Sequence, residues 1–412
     1  MVILSHPTGN QFVRNAASGL IQAQILQSFY TSIASFENDL LYKIGGINQF
    51  AELRKRVFES NLKPYTNTNP YNELMRQISM KFGFHNLIKH EFGRYSVDTV
   101  YTNHDKWVSG NILKQKGVKA IYAYEDAALK SFKIANQNGL INFYDLSIGY
   151  WRCGLDILEK EKDRKPLYAS TLTGLLNSAQ KLANKEEELK HASYVIVASS
   201  FTKESLKYYP NELNNIEVIP YGFPIVNDNL ILAKKTNKPL KILFVGGLTQ
   251  RKGIAEVFEV ANHFSKHIKL TVIGNKTSNV CEELDKNLSK HYWIPSLPHH
   301  EILEQMRLHD VLLFPSLFEG FGMVISEAMS QGTPVITTFN TAGKDFIDHG
   351  KNGWLVEPGN FNSIVQIIEN IIDRPEQLDQ ISQNAKLTAM QRPWSKYASD
   401  IAEFTKSKID KC

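Results

Sequence analysis

At 412 residues the chain can bury two cores, since single domains usually hold ~100–200 residues. Hydrophobic residues make up 42% and charged residues 22%, an ordinary globular balance, and no run of about eighteen apolar residues exists, which excludes a membrane-spanning helix. A net charge of +5 suits anionic substrates or loose contact with an anionic membrane surface, and equally suits neither.

The N-terminus, MVILSHPTGNQFVRN, lacks a basic start followed by a long apolar stretch. It reads as a first buried strand, VILS, running into a loop, and not as a signal peptide. Residues from roughly 15 to 95 are expected to be helical. The densest basic cluster, Arg54-Lys55-Arg56, falls there without an aromatic platform and reads as a solvated face, which disfavours nucleic acid. Further strands are expected at TVYT (99–102), KAIYAY (119–124), LINFYD (140–145), SYVIVAS (193–199) and IEVIP (216–220). The stretch 220–241, with three prolines and a cluster of Asn and Lys, reads as a domain boundary.

The second half alternates more regularly. KILFVGG (241–247), a helix from about Gly253, KLTVIG (269–274), a helix near Cys281–Lys290 and a short HYWI (291–294) come first. The helix HHEILEQMRL, DVLLFPS (310–316), another helix, PVITT (334–338) and GWLVE (353–357) follow. Short apolar strands joined by helical crossovers predict parallel sheets covered on both faces, a doubly wound, Rossmann-like α/β fold in each half. The expected division is 1–222, a linker at 223–240, and 241–393, with a cleft between the halves. Chemistry is then expected just after strands. The three cysteines, Cys153, Cys281 and Cys412, are scattered, which suits a reducing cytosol.

Two strand ends carry the chemistry. In FPSLFEGFGMVISEAMSQGTPVIT (314–337), a buried strand ends at Pro315-Ser316 and a helix starts after Gly322. Gly320 and Gly322 let backbone approach a ligand, and the helix start offers amides and a positive dipole end, an anion site suited to phosphate. Glu327 can hold a ribose diol, while Glu319 points where a sugar beyond the phosphates would lie. In ILFVGGLTQRKG (242–253), Gly246-Gly247 end a strand, and Arg251 and Lys252 follow as fixed cations for a diphosphate. Solvated glutamates and a surface Arg-Lys pair are the plainer readings of each part taken alone. No Asp-x-Asp appears, and His299-His300 reads as a loop beside a base-binding slot with Trp293, Ile294 and Pro295. G-x-G-x-x-G after the first strand, Walker A, G-x-S-x-G and HExxH are missing.

Taken together, FPSLFEGFGMVISEAMSQGTPVITT, FVGGLTQRKG, GKNGWLVEPGN, HASYVIVASSFTKESL, VIPYGF and the terminal WSKYASDIAEF closely resemble the family 4 glycosyltransferases of the GT-B fold. The E-x7-E motif falls on Glu319 and Glu327, and the resemblance is strong over about residues 190–404. It implies a retaining, metal-independent hexosyl transfer from a nucleotide sugar, UDP- or GDP-linked, to a glycan or lipid-linked acceptor. By position, Arg251 and Lys252 would clamp the diphosphate, with help from the amides of Phe321, Gly322, Met323 and Val324. Glu327 would hold the ribose and Glu319 the donor sugar. Gly9-Asn10 would form a glycine loop near phosphates and acceptor, and the last helix (394–412) would cross back to complete the acceptor-binding first half. The resemblance also implies a cytoplasmic enzyme, with peripheral contact at the inner face of the membrane. Where many relatives carry a histidine, this chain has Tyr144-Asp145; Asp145 is the candidate to act there, with Glu125 and Asp126 a second pair. A nucleotide-sugar epimerase, a phosphorylase-like enzyme and a non-catalytic sugar-nucleotide-binding partner are the alternatives.

Overall fold

The computed structural model describes residues 1–37, 39, 42–43, 56–226, 239–278 and 280–411. In the first half the strands are β1 (Val2–Ser5), β2 (Leu26–Thr31), β3 (Thr66–Thr68), β4 (Ala120–Tyr124), β5 (Ile141–Leu146), β6 (Tyr194–Val197) and β7 (Ile216–Val218). They pair in parallel in the order β3-β2-β1-β4-β5-β6-β7. In the second half β8 (Leu240–Val245), β9 (Ile268–Ile273), β10 (Tyr292–Ile294), β11 (Val311–Phe314), β12 (Val335–Thr338) and β13 (Trp354–Val356) form a second parallel sheet, β10-β9-β8-β11-β12-β13. Parallel neighbours need long crossovers, and helices supply them. Strands covered on both faces carry near-continuous apolar runs, as Ile242-Leu243-Phe244 and Val311 to Phe314 do, all buried.

In each sheet the strand order reverses once, between β1 and β4 and between β8 and β11. Helices leave to opposite faces there, so the loops after those four strands border a crevice. Those loops contain His6–Asn10, Glu125-Asp126, Gly246–Lys252 and Pro315–Gly322.

The two halves face each other across a cleft, in the GT-B arrangement, and touch at defined points. Phe318 leaves the second half to pack with Cys153 and Phe201 of the first. Helix Trp151–Arg164 reaches the other way, where Arg164 pairs with Glu256 and Lys165 with Glu259. Tyr168 is built into the core of the second half. The C-terminal helix Trp394–Ile409 returns to the first half and packs against helix Gln11–Gln22. Its buried Tyr397 and Ile401 join Val13, Ala16, Ala17 and Leu20. Burying a side chain such as Ile401 stabilises by roughly 1.5–3 kcal/mol.

Two sequence expectations fail in the first half. TVYT (99–102) is not a strand but part of helix Val97–Ser109. Ser96 caps that helix by accepting from the Thr99 amide at 3.1 Å, and Val100, His104 and Val108 recur every fourth residue on its buried face. The cap and this spacing outweigh the β-branched run. The helical expectation for 15–95 also fails in part, because it contains β2 and β3 beside the helices Gln11–Gln22 and Tyr71–Lys81. β2, LQSFYT, is buried on both faces, so it shows no alternation to read. Arg54, Lys55, Cys412 and residues 227–238 of the expected linker lie outside the described residues.

Candidate active site

β8 ends at Val245, and Gly246-Gly247 lead to the tight turn Gln250–Lys252, capped by Thr249. Buried Gln250 anchors the turn. Its Nε2 donates to Glu161 at 2.6 Å and Glu256 at 2.8 Å, and its Oε1 accepts from the Ala255 amide at 2.9 Å. Its own amide donates to Thr171 Oγ1 at 2.9 Å, and Thr249 Oγ1 donates to the Thr171 carbonyl at 2.7 Å. Residues of the first half therefore fix the turn that presents Arg251 and Lys252.

The loop after β11 arrives beside it. Gly322 precedes helix Met323–Ser330 with φ +84°, a backbone region that residues with a Cβ adopt only with strain, and this permits the abrupt turn into the helix. The helix start leaves amides unpaired within the helix at its positive end. Arg251 Nη1 donates to Glu319 Oε1 at 2.8 Å and to the Phe318 carbonyl at 2.6 Å. Lys252 Nζ pairs with the same Oε1, and Ser316 Oγ donates to it at 2.9 Å. Burial alone would raise the Glu319 carboxyl, but the Lys252 ammonium and Arg251 guanidinium hold it below the usual carboxylate range. Glu319 is thus the counter-ion of both cations, a role the spacing of the motif did not disclose.

Gly320 lies where the halves meet. A Cβ there would stand 1.9 Å from the Ser147 carbonyl, so only glycine allows this approach. Its carbonyl accepts from Ser199 Oγ and, at 2.8 Å, from Thr202 Oγ1.

Glu327 places Oε1 2.9 Å from His299 Nε2, and that bond raises the imidazole above its ordinary range. His299 and His300 do not form the expected loop. They open helix His299–Leu308 after Pro298, with Glu301 in the first turn favouring a helix start. Ile294 closes β10 and accepts from the Gly274 amide at 3.0 Å, while Trp293 Nε1 donates to the Gly274 carbonyl at 2.9 Å. Gly246, Gly247 and Ile294 therefore sit at neighbouring strand ends. Met323 and Val324 are half-buried at the helix start. Phe321 is buried, its ring 5.1 Å from that of Tyr221 and 5.9 Å from that of Phe346.

On the facing side, the loop after β1 turns around His6. Its Nδ1 accepts from the Thr8 and Gly9 amides, both at 3.0 Å. Burial holds this imidazole neutral, with its pKa lowered to about 3, helped by His104 and Arg56 nearby. Arg14 Nε donates to the Gly9 carbonyl at 3.0 Å, and Arg56 to that of Thr8. Asn10 stands exposed just before helix Gln11–Gln22. Phe12, next in that helix, stacks on Tyr221 at 4.9 Å, and Tyr221 meets Phe321. An aromatic ladder so links the Gly9 loop to the Gly320 turn. His6 was legible as a polar residue directly after a strand; Gln250, Thr171 and Tyr221 gave no such signal.

Asp145 is placed differently from expectation. It is buried beneath the C-terminal helix, where Tyr122 donates to its Oδ2 at 2.7 Å and Tyr124, Tyr221 and Tyr397 surround it. Burial raises its pKa to about 7, against the hydrogen bonds from Tyr122 and Tyr124. Its strand position explains this: Asp145 shares a face with Phe143, which packs in the same core. Glu125 and Asp126 follow β4 but pair with Lys185, at 2.7 and 3.0 Å.

Among the described residues no group of three or more His, Cys, Asp or Glu stands close enough to share a metal ion. A cavity of about 630 Å³ opens at the opposite, N-terminal edge of β8 and β9, beside Lys241, Thr271 and His309, and contains none of the residues above.

Residues 231–388 match the family model for glycosyl transferases group 1. The capsular polysaccharide biosynthesis glycosyltransferase CapM of Staphylococcus aureus is 26% identical over 238 residues, 52% of this chain and 57% of CapM. The lipopolysaccharide 1,6-galactosyltransferase of Salmonella typhimurium is 27% identical over 195 residues, 45% of this chain and 54% of that protein. The chain thus spans about half the length of the curated relatives it matches. Among solved structures, sucrose-phosphate synthase from Thermosynechococcus elongatus superposes with a TM-score of 0.68 at 16% identity, covering 100% of this chain and 99% of that one. HepE from Anabaena, in complex with UDP and glucose, gives 0.63 at 17% identity, covering 98% and 99%. At such identities the likeness establishes the GT-B fold.

Proposed function

We propose that this chain is a retaining glycosyltransferase that moves a hexosyl group from a UDP- or GDP-linked sugar to a glycan or lipid-linked acceptor without a metal ion. The observation that carries the reading is the convergence of Arg251, Lys252 and the Met323 helix start around Glu319, at a strand-order reversal facing the other half. The match to glycosyl transferases group 1 covers these residues. Relatives named for capsular and lipopolysaccharide synthesis, and the solved HepE with UDP and glucose, support the substrate class.

In this reading the donor diphosphate takes up the charge of Arg251 and Lys252, which neutralise the growing negative charge as the nucleoside diphosphate leaves. Glu319, a carboxylate already ionised, then turns to the donor sugar hydroxyls. Glu327, steadied by His299, holds the ribose. The acceptor binds from the first half, beside the Gly9 loop, and its proton passes to the departing phosphate on the face where the bond breaks. Asp145 would act only by shaping that wall.

The test is nucleoside diphosphate release from a panel of UDP-, GDP- and ADP-sugars in EDTA, with and without an envelope-glycan extract. Turnover with a UDP- or GDP-sugar, raised by the extract, supports the reading. Turnover that appears only with added divalent metal, or none with any donor and extract, contradicts it.

A further inference from the structure

Helix Trp151–Arg164 belongs to the first half by sequence, yet its two ends meet both loops of the candidate donor site. Gly154, Leu158 and Glu161 recur at helical spacing and form its buried face. Its 14 residues span about 21 Å. At its start the contact is with the loop after β11. A Cβ would stand 2.6 Å from the Phe318 ring at Gly149, just before the helix, and 2.9 Å from it at Gly154, in the first turn. Cys153 and Phe201 pack on the same buried ring. The Phe318 carbonyl accepts from Arg251 Nη1 at 2.6 Å, and the Leu317 amide donates to the Arg251 carbonyl at 2.8 Å. Where the helix puts Phe318 therefore bears directly on Arg251.

At its end the contact is with the turn after β8. Glu161, held by Arg164 at 2.6 and 2.7 Å, accepts from Gln250 Nε2 at 2.6 Å. Thr171, a few residues beyond the helix, takes the Gln250 amide on its hydroxyl at 2.9 Å. Glu161, Thr171 and Gln250 are all buried, so losing any one of them strands a partner out of reach of water. Gln250 directly precedes Arg251 and Lys252 in the chain. A sheet fixes where its loops begin but not where their tips stand, and here both tips rest on one rod from the other half.

We propose that helix Trp151–Arg164 is a brace that sets the diphosphate clamp from the first half, with Gly154, Glu161 and Thr171 as its positioning residues. Arg251 and Lys252 keep their binding geometry only while the helix holds Phe318 at one end and Gln250 at the other. This rests on the reading of Arg251 and Lys252 as the diphosphate clamp. Nucleotide affinity then depends on side chains of the first half that never touch the nucleotide. By linkage, a bound diphosphate tightens the brace in return.

Hydrogen exchange and calorimetry on the full chain test it together. Gly154→Ala favours the helix locally while pushing on the Phe318 ring. Thr171→Val keeps the shape but strands the Gln250 amide, and Thr171→Ser restores the hydroxyl. Without nucleotide, each variant is read at the far loop: Gly154→Ala should speed exchange of the Gln250 to Gly253 amides, and Thr171→Val that of Leu317, each about tenfold. Amides of β1 should keep their rates, which sets this apart from global unfolding. Both variants should lose about tenfold in affinity for whichever of UDP and GDP the wild type binds, and Thr171→Ser should recover it. Lys344→Ala, which removes the ion pair with Glu204 between the halves, should change neither readout. Wild-type exchange at the far loop in both variants overturns the brace. Faster exchange with unchanged affinity overturns the positioning role and leaves the contacts to stability alone. An equal loss in Lys344→Ala also overturns it, since any loosening of the halves would then suffice. A wild type that binds neither nucleotide would sink the clamp reading, while the exchange rates still decide the brace.

Discussion

Lys252 and Glu319 come from loops after two adjacent strands, β8 and β11, and meet as an ion pair on a buried carboxylate that Arg251 also holds. Two cations sharing one counter-ion leave a net positive site. A diphosphate entering there finds charge already fixed in place, so little reorganisation is needed as the bond to the sugar breaks.

Glu319→Gln removes that counter-ion while keeping the shape. Turnover is expected to fall by about two orders of magnitude, as for loss of an electrostatic contact to the reacting groups. Nucleoside diphosphate binding should tighten, because the competing carboxylate charge on Arg251 and Lys252 is then gone. Kinetics and calorimetry on the same variant check both; weaker binding would mean that Glu319 positions the cations more than it competes with the ligand.

Gly320→Ala puts a methyl group 1.9 Å from the Ser147 carbonyl, a backbone atom that cannot swing aside. The two halves must separate there, and the Ser199 and Thr202 bonds to the Gly320 carbonyl weaken. We expect a larger radius of gyration by small-angle scattering and lost turnover, with secondary structure intact by circular dichroism. A wild-type radius with full activity would show that the halves need not touch at this point.

Truncating Glu327 to alanine should act on donor affinity more than on rate. A ribose contact is made equally in ground and transition states, so KM for the nucleotide sugar should rise about tenfold with kcat little changed. His299→Ala, which removes only the partner holding Glu327 at 2.9 Å, should raise KM less. An unchanged KM in both would remove Glu327 from the donor site.

Asp145 gives a pH signature. Its folded pKa of about 7 lies above the ordinary aspartate value of 3.8, so the native state holds its proton more tightly than the unfolded one. That stabilisation is complete below about pH 4 and is lost as pH rises through 7; three units amount to roughly 4 kcal/mol. Asp145→Asn cannot ionise. Its Tm relative to wild type should therefore climb between pH 4 and 7 and level off above. A constant difference across that range would mean the carboxylate is not held in a buried, proton-favouring cage.

The second half was far more legible than the first, for physical reasons. β8, β9 and β11 are short apolar runs ending in Gly, Pro or Ser, so period and punctuation agree, and both strand ends of the candidate donor site could be placed. β2 is buried on both faces and carries Gln and Ser, which hides it inside a helical-looking stretch. TVYT has the β-branched look of a strand, but the capping Ser96 one turn upstream and the four-residue spacing of Val100, His104 and Val108 make it helix. The site itself was legible as residues but not as contacts. Glu319 and Glu327 stand out by spacing, yet nothing in the sequence says that one pairs with Arg251 and Lys252 and the other with His299. The Gln250 and Tyr221 supports are contacts between the halves, and no local pattern encodes those.

The most direct test of the central claim is calorimetric titration of UDP and GDP, in EDTA, into wild type, Arg251→Ala and Lys252→Ala. The account predicts that wild type binds at least one of them and that each alanine variant loses about tenfold or more in affinity, the worth of one charge-assisted contact. Equal affinity in all three proteins, or no binding of either nucleotide to the wild type, would contradict it.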